Sequence, residues 1–372
     1  MKKILLGMIA LLVTACGSPD ALQVEIHNPS AAARSHETIE VAWTDIASKL
    51  REITPENIIV LDPAQQQVPS QVVYEGQPEP QKLIFQVSLK GAETLVYSIG
   101  KGIRPEYTIQ AYGRHVPERS DDYAWENNLT AYRLYGPALK DPRTPGIDVW
   151  VKSTERMIID DWYAGKDYHT NHGEGMDAYK VGPTLGGGAS APYANGKLWL
   201  SDNYAIYERL DNGPIRTTVK LTYASTEMES ETQRFNYFKV ISLDANTYFN
   251  KITDTYAGTW ESCAIAAGII LHDVKETTAS EDYIAVTEAL SDSKQPEIDG
   301  NISLGIILPG AKQTQEIDGH LVIYKRMDTG QPMTYWSGSG WSQAGITEHG
   351  EWVTRLLQQK DKIDHPAIVT LL

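Results

Sequence analysis

The chain reads as an all-β protein in two unequal parts: a small N-terminal β-sandwich over residues 20–110, then a large antiparallel double-sheet sandwich over 111–372. Three observations predict this. Between 20 and 110, short alternating runs (LQVEI, TIEVAW, NIIVLD, QVVY, KLIFQVSL, TLVYSIG) recur at near-regular spacing, with Pro, Gly, Asn and Gln between them. From about 111 aromatics become dense and the runs lengthen: LTAYRLYG, GIDVWVKS, IRTTVKLTYAS, TQRFNYFKVISLD, AIAAGIILHD, NISLGIILPG, HLVIYKRM. Helix signals are scarce. Only ASKLREI and, near the C-terminus, GEWVTRLLQQKD carry them; in the latter Trp352, Leu356 and Gln359 fall at helical spacing.

Individual elements follow from the same patterns. In RTTVKLTY, Thr217, Val219, Leu221 and Tyr223 fall on one side of a strand. Asn212-Gly213-Pro214 marks the turn before it, and Arg216 reads as structural. Cys263 lies in the apolar run SCAIAAGIIL and reads as a small buried hydrophobe.

The first residues, MKKILLGMIALLVTAC, have a basic start at Lys2 and Lys3 and an apolar stretch too short to span a bilayer. Val13-Thr14-Ala15-Cys16 fits a lipobox. Residues 1–15 are therefore expected to be a lipoprotein signal peptide, Cys16 the lipidated residue and 16–19 a tether. Acyl chains hold a protein at a bilayer because each buried methylene contributes about 0.8 kcal/mol. No aspartate follows Cys16, which points to the bacterial outer membrane, facing the periplasm or the cell surface.

Loss of Lys2 and Lys3 with that peptide takes the formal charge from −15 to −17. So acidic a chain repels phosphate backbones, which excludes nucleic acid as a natural partner. With Cys263 the sole cysteine besides Cys16, a disulfide framework and a thiolate metal site are excluded too.

Three constellations could carry chemistry. The first is KDYHTNHGEGMDAYKVGPTLGGG, where glycines rule out a long helix and place titratable groups on a loop or a bent strand end. If His172-Gly173-Glu174 is extended, His172 and Glu174 project to one side as an acid/base pair, and His169 can join after one bend. Tyr168, Lys166, Asp177 and Lys180 are its polar neighbours. A metal site on His169, His172 and Asp177 would lack a recognisable spacing, and loop residues bonded to exposed amides are the bland alternative. The triple glycine is no phosphate loop, because no Lys-Ser/Thr follows and no βαβ unit surrounds it.

The second constellation is DDYAWENNLTAYRLYGPAL. Here Leu129, Ala131, Arg133 and Tyr135 share a strand face, and a guanidinium there needs an anionic partner. That partner is either Glu126, in an internal ion pair, or a substrate carboxylate gripped bidentately. Trp125, Glu126 and Asn127, ahead of the strand, could offer a stacking face and hydrogen bonds. The third is MTYWSGSGWSQAG, which reads as a flexible aromatic turn whose Tyr335 and Trp341 could face pyranose rings, or pack in the core. His272 closes the strand AIAAGIILHD near a rim.

At WENNLTAYRLYGP, DYHTNHGEGMDAYKVGPTLGGG, YAIYERLDNGPIRTTVKLTY and YWSGSGWS the chain resembles an uncharacterised family of bacterial surface lipoproteins, a domain of unknown function, over nearly the whole mature length. Members of that family tend to occur beside enzymes that dismantle pectin and other uronic-acid polysaccharides. More distantly, the C-terminal part is similar to the galactose-mutarotase-like supersandwich of sugar epimerases, polysaccharide lyases and some hydrolase domains. The resemblance implies a carbohydrate-active enzyme on uronic-acid oligosaccharides, of lyase or glycosidase type. A non-catalytic surface glycan-binding lipoprotein and a mutarotase-like epimerase are the alternatives.

In an elimination, Arg133 would neutralise the substrate carboxylate, His172 or His169 would take the proton, and Tyr135 or Tyr168 would protonate the leaving oxygen. Glu174 would orient the histidine, and Trp125 and Trp341 would hold neighbouring rings. Glu126 and Glu174 as a hydrolytic pair are the variant within the enzyme class. No cofactor is expected, although scattered Asp and Asn are compatible with calcium.

Overall fold

The computed structural model describes residues 21–140, 143–165, 167–229 and 232–372. The signal peptide, Cys16, the tether and Lys166 lie outside the described residues. Among the described residues no helix is long and apolar enough to cross a membrane.

Antiparallel strands dominate, as the alternating runs predict. In the first sandwich a five-stranded sheet faces the three strands Arg34–Ala42, Lys82–Leu89 and Ser70–Val73. The two sheets close on a core of their own that includes Val24, Ile26, Ile58, Val60, Phe85 and Ile99. A helical turn expected at ASKLREI, residues 47–53, forms earlier, as the helix Trp43–Lys49, which buries Ile46 there.

The second part is larger. Its eight-stranded sheet runs Ile206–Asp211, Arg216–Glu227, Arg234–Asp244, Phe249–Gly258, Pro332–Trp341, Asn301–Ile307, Tyr283–Ala289, Val274–Ala279. Thr217, Val219, Leu221 and Tyr223 are all buried, as their alternation requires. Two five-stranded sheets oppose it. One is built around Gly187–Ala194, Ser262–Ile270 and His320–Asp328, the other around Asp148–Lys152, Ala131–Leu134 and Asp122–Asn127. A bridge between Ile147 and Gly186 joins them into one layer. Cys263 is a buried free thiol within it.

The glycine-rich segments serve close approach. Gly188 has φ +134°, and a Cβ there would fall on the Ser337 side chain of the facing sheet. The segment 333–341 is accordingly not a flexible turn: it belongs to the strand Pro332–Trp341. A Cβ at Gly338 would meet the Phe249 ring at 2.5 Å and the Tyr248 carbonyl at 2.6 Å, so strand packing explains its glycine.

The predicted C-terminal helix spans His349–Asp364 and is started by a reciprocal capping box of Glu348 and Glu351. It lies on the outer face of the eight-stranded sheet. There the buried Trp352 stacks on Phe249 at 5.3 Å and donates its indole N–H to the Leu304 carbonyl at 2.9 Å. The helix then carries the chain back to the first sandwich, where Ile368–Leu371 pairs with Leu22–His27. The last residues, assigned by sequence to the second part, thus complete a sheet of the first. Arg34 fixes that return, donating to the His365 carbonyl at 2.5 Å and to Asp361 at 3.4 Å.

The two parts are hydrogen-bonded together. The Gln71 side chain accepts from the amides of Ile215 and Arg216 and donates to the Arg216 carbonyl, at 2.8–3.0 Å. Arg216 is structural, as expected: it bonds Asp244 and Glu40.

Replacing Trp352 with alanine removes a fully buried indole that pins the helix. Stability is expected to fall by about 3–5 kcal/mol, read as a lower midpoint in urea unfolding with the slope unchanged.

Candidate functional site

The sheet around Ala131–Leu134 is buried on both faces, and its two faces differ in chemistry. Alternation places Tyr123, Trp125, Tyr132, Leu134, Val149, Val151 and Met176 in the main core. The opposite face carries Asp122, Glu126, Arg133, Asp148, Lys152 and Asp177, all buried. Register brings them together: Arg133 lies opposite Asp148, and Trp150 opposite Asp177. The helix Ile159–Ala164 and the loop after it cover this face, with Trp162, Tyr163 and Tyr168 packed over Trp150.

Arg133 is the hub. One terminal nitrogen lies 2.6 Å from an oxygen of Asp148 and 2.6 Å from one of Asp177, and donates to the Tyr135 hydroxyl at 2.9 Å. The other donates to the Tyr168 hydroxyl at 3.3 Å, and the guanidinium sits over the Tyr135 ring. Asp122 completes the group, 3.9 Å from the guanidinium Nε. Three carboxyls thus converge on one buried cation, with Arg119 nearby as a second.

Burial dominates their titration. It raises the Asp122 carboxyl to about 6 against the pull of Arg133 and Arg119. It also raises Asp148, helped by the neighbouring Asp177, and raises Asp177 against the pull of Arg133, with Asp292 adding to the rise. So dry a cluster holds a proton more readily than free carboxylates do.

Asp177 reaches the surface through His169. The imidazole Nδ1 lies 3.4 Å from an Asp177 carboxylate oxygen and 3.3 Å from its carbonyl, and the ring leans on Tyr168 at 4.5 Å. His169 is 44% exposed, whereas Asp177 is 4% exposed. The Nε2 of His169 makes no hydrogen bond among the described residues. His169 borders an open cleft of about 480 Å³ lined also by Asp167, Ser291, Asp292, Ser293 and Lys294. A buried carboxylate behind an exposed imidazole is an arrangement that fixes a tautomer and supports proton transfer.

Arg133, Tyr135, Tyr168, His169 and Asp177 therefore meet, as expected. Arg133 is not a ligand for a substrate carboxylate, because internal carboxylates already occupy it and it is 1% exposed. Its partners are Asp148 and Asp177, not Glu126. Glu126 instead pairs with buried Lys152 at 2.8 Å and accepts from the amides of Ile158 and Ile159 at the start of the helix.

His172 and Glu174 do not form a pair. Glu174 is gripped by Arg156 through two hydrogen bonds, and His172 Nε2 bonds the Asp167 carbonyl at 3.0 Å. Both border a separate cavity of about 200 Å³ beside Trp162 and Tyr168. The expected aromatic platforms are core residues. Trp125 donates to Asn250 at 2.7 Å, Trp341 donates to the Asp299 carbonyl at 2.8 Å, and Tyr335 donates to the Gly188 carbonyl at 3.1 Å. Asn127 ties a turn to Asp244 and Thr247. His272 pairs with Glu288 at 2.7 Å and meets the edge of Tyr179, and it does not line the cleft. Lys180 is exposed, its amide bonded to Ser291 on the cleft wall.

Asp122 and Asp148 were missed from sequence, as were Asp292 and Lys294. The signal for Asp148 is present in D-V-W-V-K, where Asp148 and Lys152 stand at the ends of one strand face. A charge repeated at even spacing inside an apolar strand marks a polar face buried under a covering element.

These features define an all-β sandwich protein with a buried acid cluster opening through a histidine. The fold is shared with solved structures of carbohydrate enzymes. A protein in glycosyl hydrolase family 38 from Enterococcus faecalis matches with a TM-score of 0.54 at 10% identity, over 95% of this chain and 47% of that one. An alpha-mannosidase from Enterococcus faecalis V583 matches with a TM-score of 0.50 at 10% identity, over 95% and 46%. The chain spans about half the length of these two structures.

The chain belongs to the family named domain of unknown function DUF4861, whose model matches residues 26–369. Uncharacterized protein P7 from Formosa agariphila is 29% identical over 97% of each chain.

The raised carboxyl of Asp122 gives a pH signature. Folding lifts it from 3.8 to about 6, so the folded state holds the proton more tightly, and this contribution is lost as pH rises through about 6. Asp122→Asn should flatten the fall in stability between pH 4 and 7, by at most about 3 kcal/mol, measured by urea unfolding across that range.

Proposed function

We propose that this protein is a carbohydrate-active enzyme that performs acid–base chemistry on an oligosaccharide bound in the cleft beside His169. The observation that carries the reading is the His169–Asp177 pair, an exposed imidazole backed by a buried carboxylate at the wall of a cleft. The fold shared with glycosyl hydrolase family 38 structures supports a sugar as the ligand class.

The substrate is a uronic-acid oligosaccharide and the reaction a β-elimination. In that chemistry a base takes the proton next to a carboxylate, the electron pair forms the new double bond as the C–O bond breaks, and the leaving glycosidic oxygen takes a proton from the protonated base or from water. His169 Nε2 is the base in this scheme. The Asp177 carbonyl accepts the Nδ1 proton, and its carboxylate, 3.4 Å away, stabilises the imidazolium that forms. Lys294, on the cleft wall, replaces Arg133 as the cation facing the substrate carboxylate, with Lys180 nearby. Arg133 is a positioning residue that holds Asp177 in place.

A second reading, hydrolysis, rests on Asp167 and Asp292, which both line the cleft with His169. Anchoring of the mature chain to the outer membrane through Cys16 is part of the same proposal and would bring the cleft to polymers outside the inner membrane.

Incubation of the pure protein with oligogalacturonides separates the readings. Elimination gives product absorbing at the enoate band. Hydrolysis gives saturated fragments in chromatography. Unchanged oligosaccharide with saturable binding leaves a glycan-binding protein and contradicts an enzyme acting on this substrate. In the enzyme, His169→Gln lowers turnover by about 10²–10⁴-fold, while His172→Gln leaves it within about threefold, since His172 serves only its own loop.

A further inference from the structure

A cavity of about 570 Å³ in the second sandwich is lined by none of the residues of the His169 cleft. Register shows how it is built. Tyr193, Ala264 and Arg326 form one row across three neighbouring strands, and Ala191, Ala266, Tyr324 and Gln313 form the next row on the same face. Alanines at 264 and 266 let the Tyr193 and Tyr324 rings meet edge to face at 5.2 Å, with the Tyr193 hydroxyl accepting from Gln315, and the paired rings form one wall of a trough beside Ala264 and Arg326.

Trp260 closes one end. Its ring lies directly over Gly258, where a Cβ would collide with the indole, and its edge leans on Phe235 at 6.1 Å. The glycine thus lets an indole lie flat against the sheet at the cavity wall.

Some polar groups of this cavity are committed, Tyr193 to Gln315 and Asn195 to Glu229, and others are not. Among the described residues, the Trp260 indole N–H, the Tyr324 hydroxyl and the side-chain amides of Gln233 and Gln313 have no hydrogen-bond partner. Among the described residues Arg326 has no carboxylate within ion-pair distance and donates from one terminal nitrogen, to Ser262. Flat aromatic faces, planar amides and a spare guanidinium around a cavity of this size suit a pyranose ring bearing a negative substituent.

We infer that this trough is a second, non-catalytic binding site for an acidic pyranose unit, carboxylated or sulfated. No residue that lines the trough lines the cleft, so the two are distinct sites. The site would hold one part of a polymer while another part occupies the cleft. The inference stands on the trough alone and does not require that His169 be catalytic.

The test titrates the full mature chain carrying His169→Gln, so that no substrate is consumed, with three probes: oligogalacturonides, sulfated carrageenan oligosaccharides and neutral cello-oligosaccharides. The readout is the Trp260 indole N–H resonance, assigned by its loss in Trp260→Phe. The expected result is a saturable shift with at least one acidic probe, at tighter affinity than with cello-oligosaccharides. Gln313→Ala, an exposed change on an edge strand, should weaken that binding about tenfold, which is about 1.4 kcal/mol. Which acidic probe binds tells carboxylate from sulfate. A Trp260 resonance that stays still with every probe overturns the inference. So does equal affinity for neutral and acidic probes, or binding that Gln313→Ala leaves unchanged.

Discussion

The second sandwich is organised around one electrostatic constraint, the neutralisation of Arg133 inside a sheet buried on both faces. A guanidinium removed from water is tolerated only with carboxylates against it, and here Asp148 and Asp177 each approach to 2.6 Å. The sheet's register makes that possible, because Arg133 and Asp148 sit opposite one another and Asp177 is one strand further on. The reverse also holds: without Arg133, three carboxyls would share a dry space. Everything that covers the face follows from it, including the Trp150–Tyr168 stack and the helix Ile159–Ala164 held by Glu126.

The same sandwich contains two further buried ion pairs, Lys152 with Glu126 and Lys239 with Asp254, both fully enclosed. Asp254 also receives hydrogen bonds from Ser190 and Tyr335, so that pair links the facing sheets across the core. Pairs of this kind add little net stability over an apolar core, but breaking one leaves a charge stranded. They fix register between layers. The Arg133 cluster differs in having more acids than it can neutralise and a route outward through His169. That surplus turns a packing feature into a candidate for proton chemistry.

Much of the architecture was legible in the sequence. Alternating runs gave the strands, and the spacing of Trp352, Leu356 and Gln359 gave the C-terminal helix, because burial on one face leaves a period in the chain. The aromatic-glycine segment around Tyr335 and Trp341 misled, since glycine that admits a neighbouring strand looks the same in sequence as glycine that frees a loop. The return of Ile368–Leu371 to the first sheet was invisible for a related reason: pairing between the two ends of a chain leaves no local signal.

Of the site, Arg133, Tyr135, Tyr168, His169 and Asp177 were legible as residue types that need partners. Their true partnerships were not. His172 and Glu174, two apart, looked like the pair, but Arg156 captures the glutamate. His169 and Asp177, eight apart, are the ones that meet, because the loop between them folds back over the Asp177 strand.

The claim on which the account rests is that buried Asp177 dictates the state of His169. Ring nitrogen chemical shifts of His169, compared between the native protein and Asp177→Asn, test it directly. The account predicts a neutral imidazole whose proton sits mainly on Nδ1 in the native protein and less so in the variant, where only the backbone carbonyl of residue 177 remains to accept it. The same tautomer mixture in both proteins would contradict it.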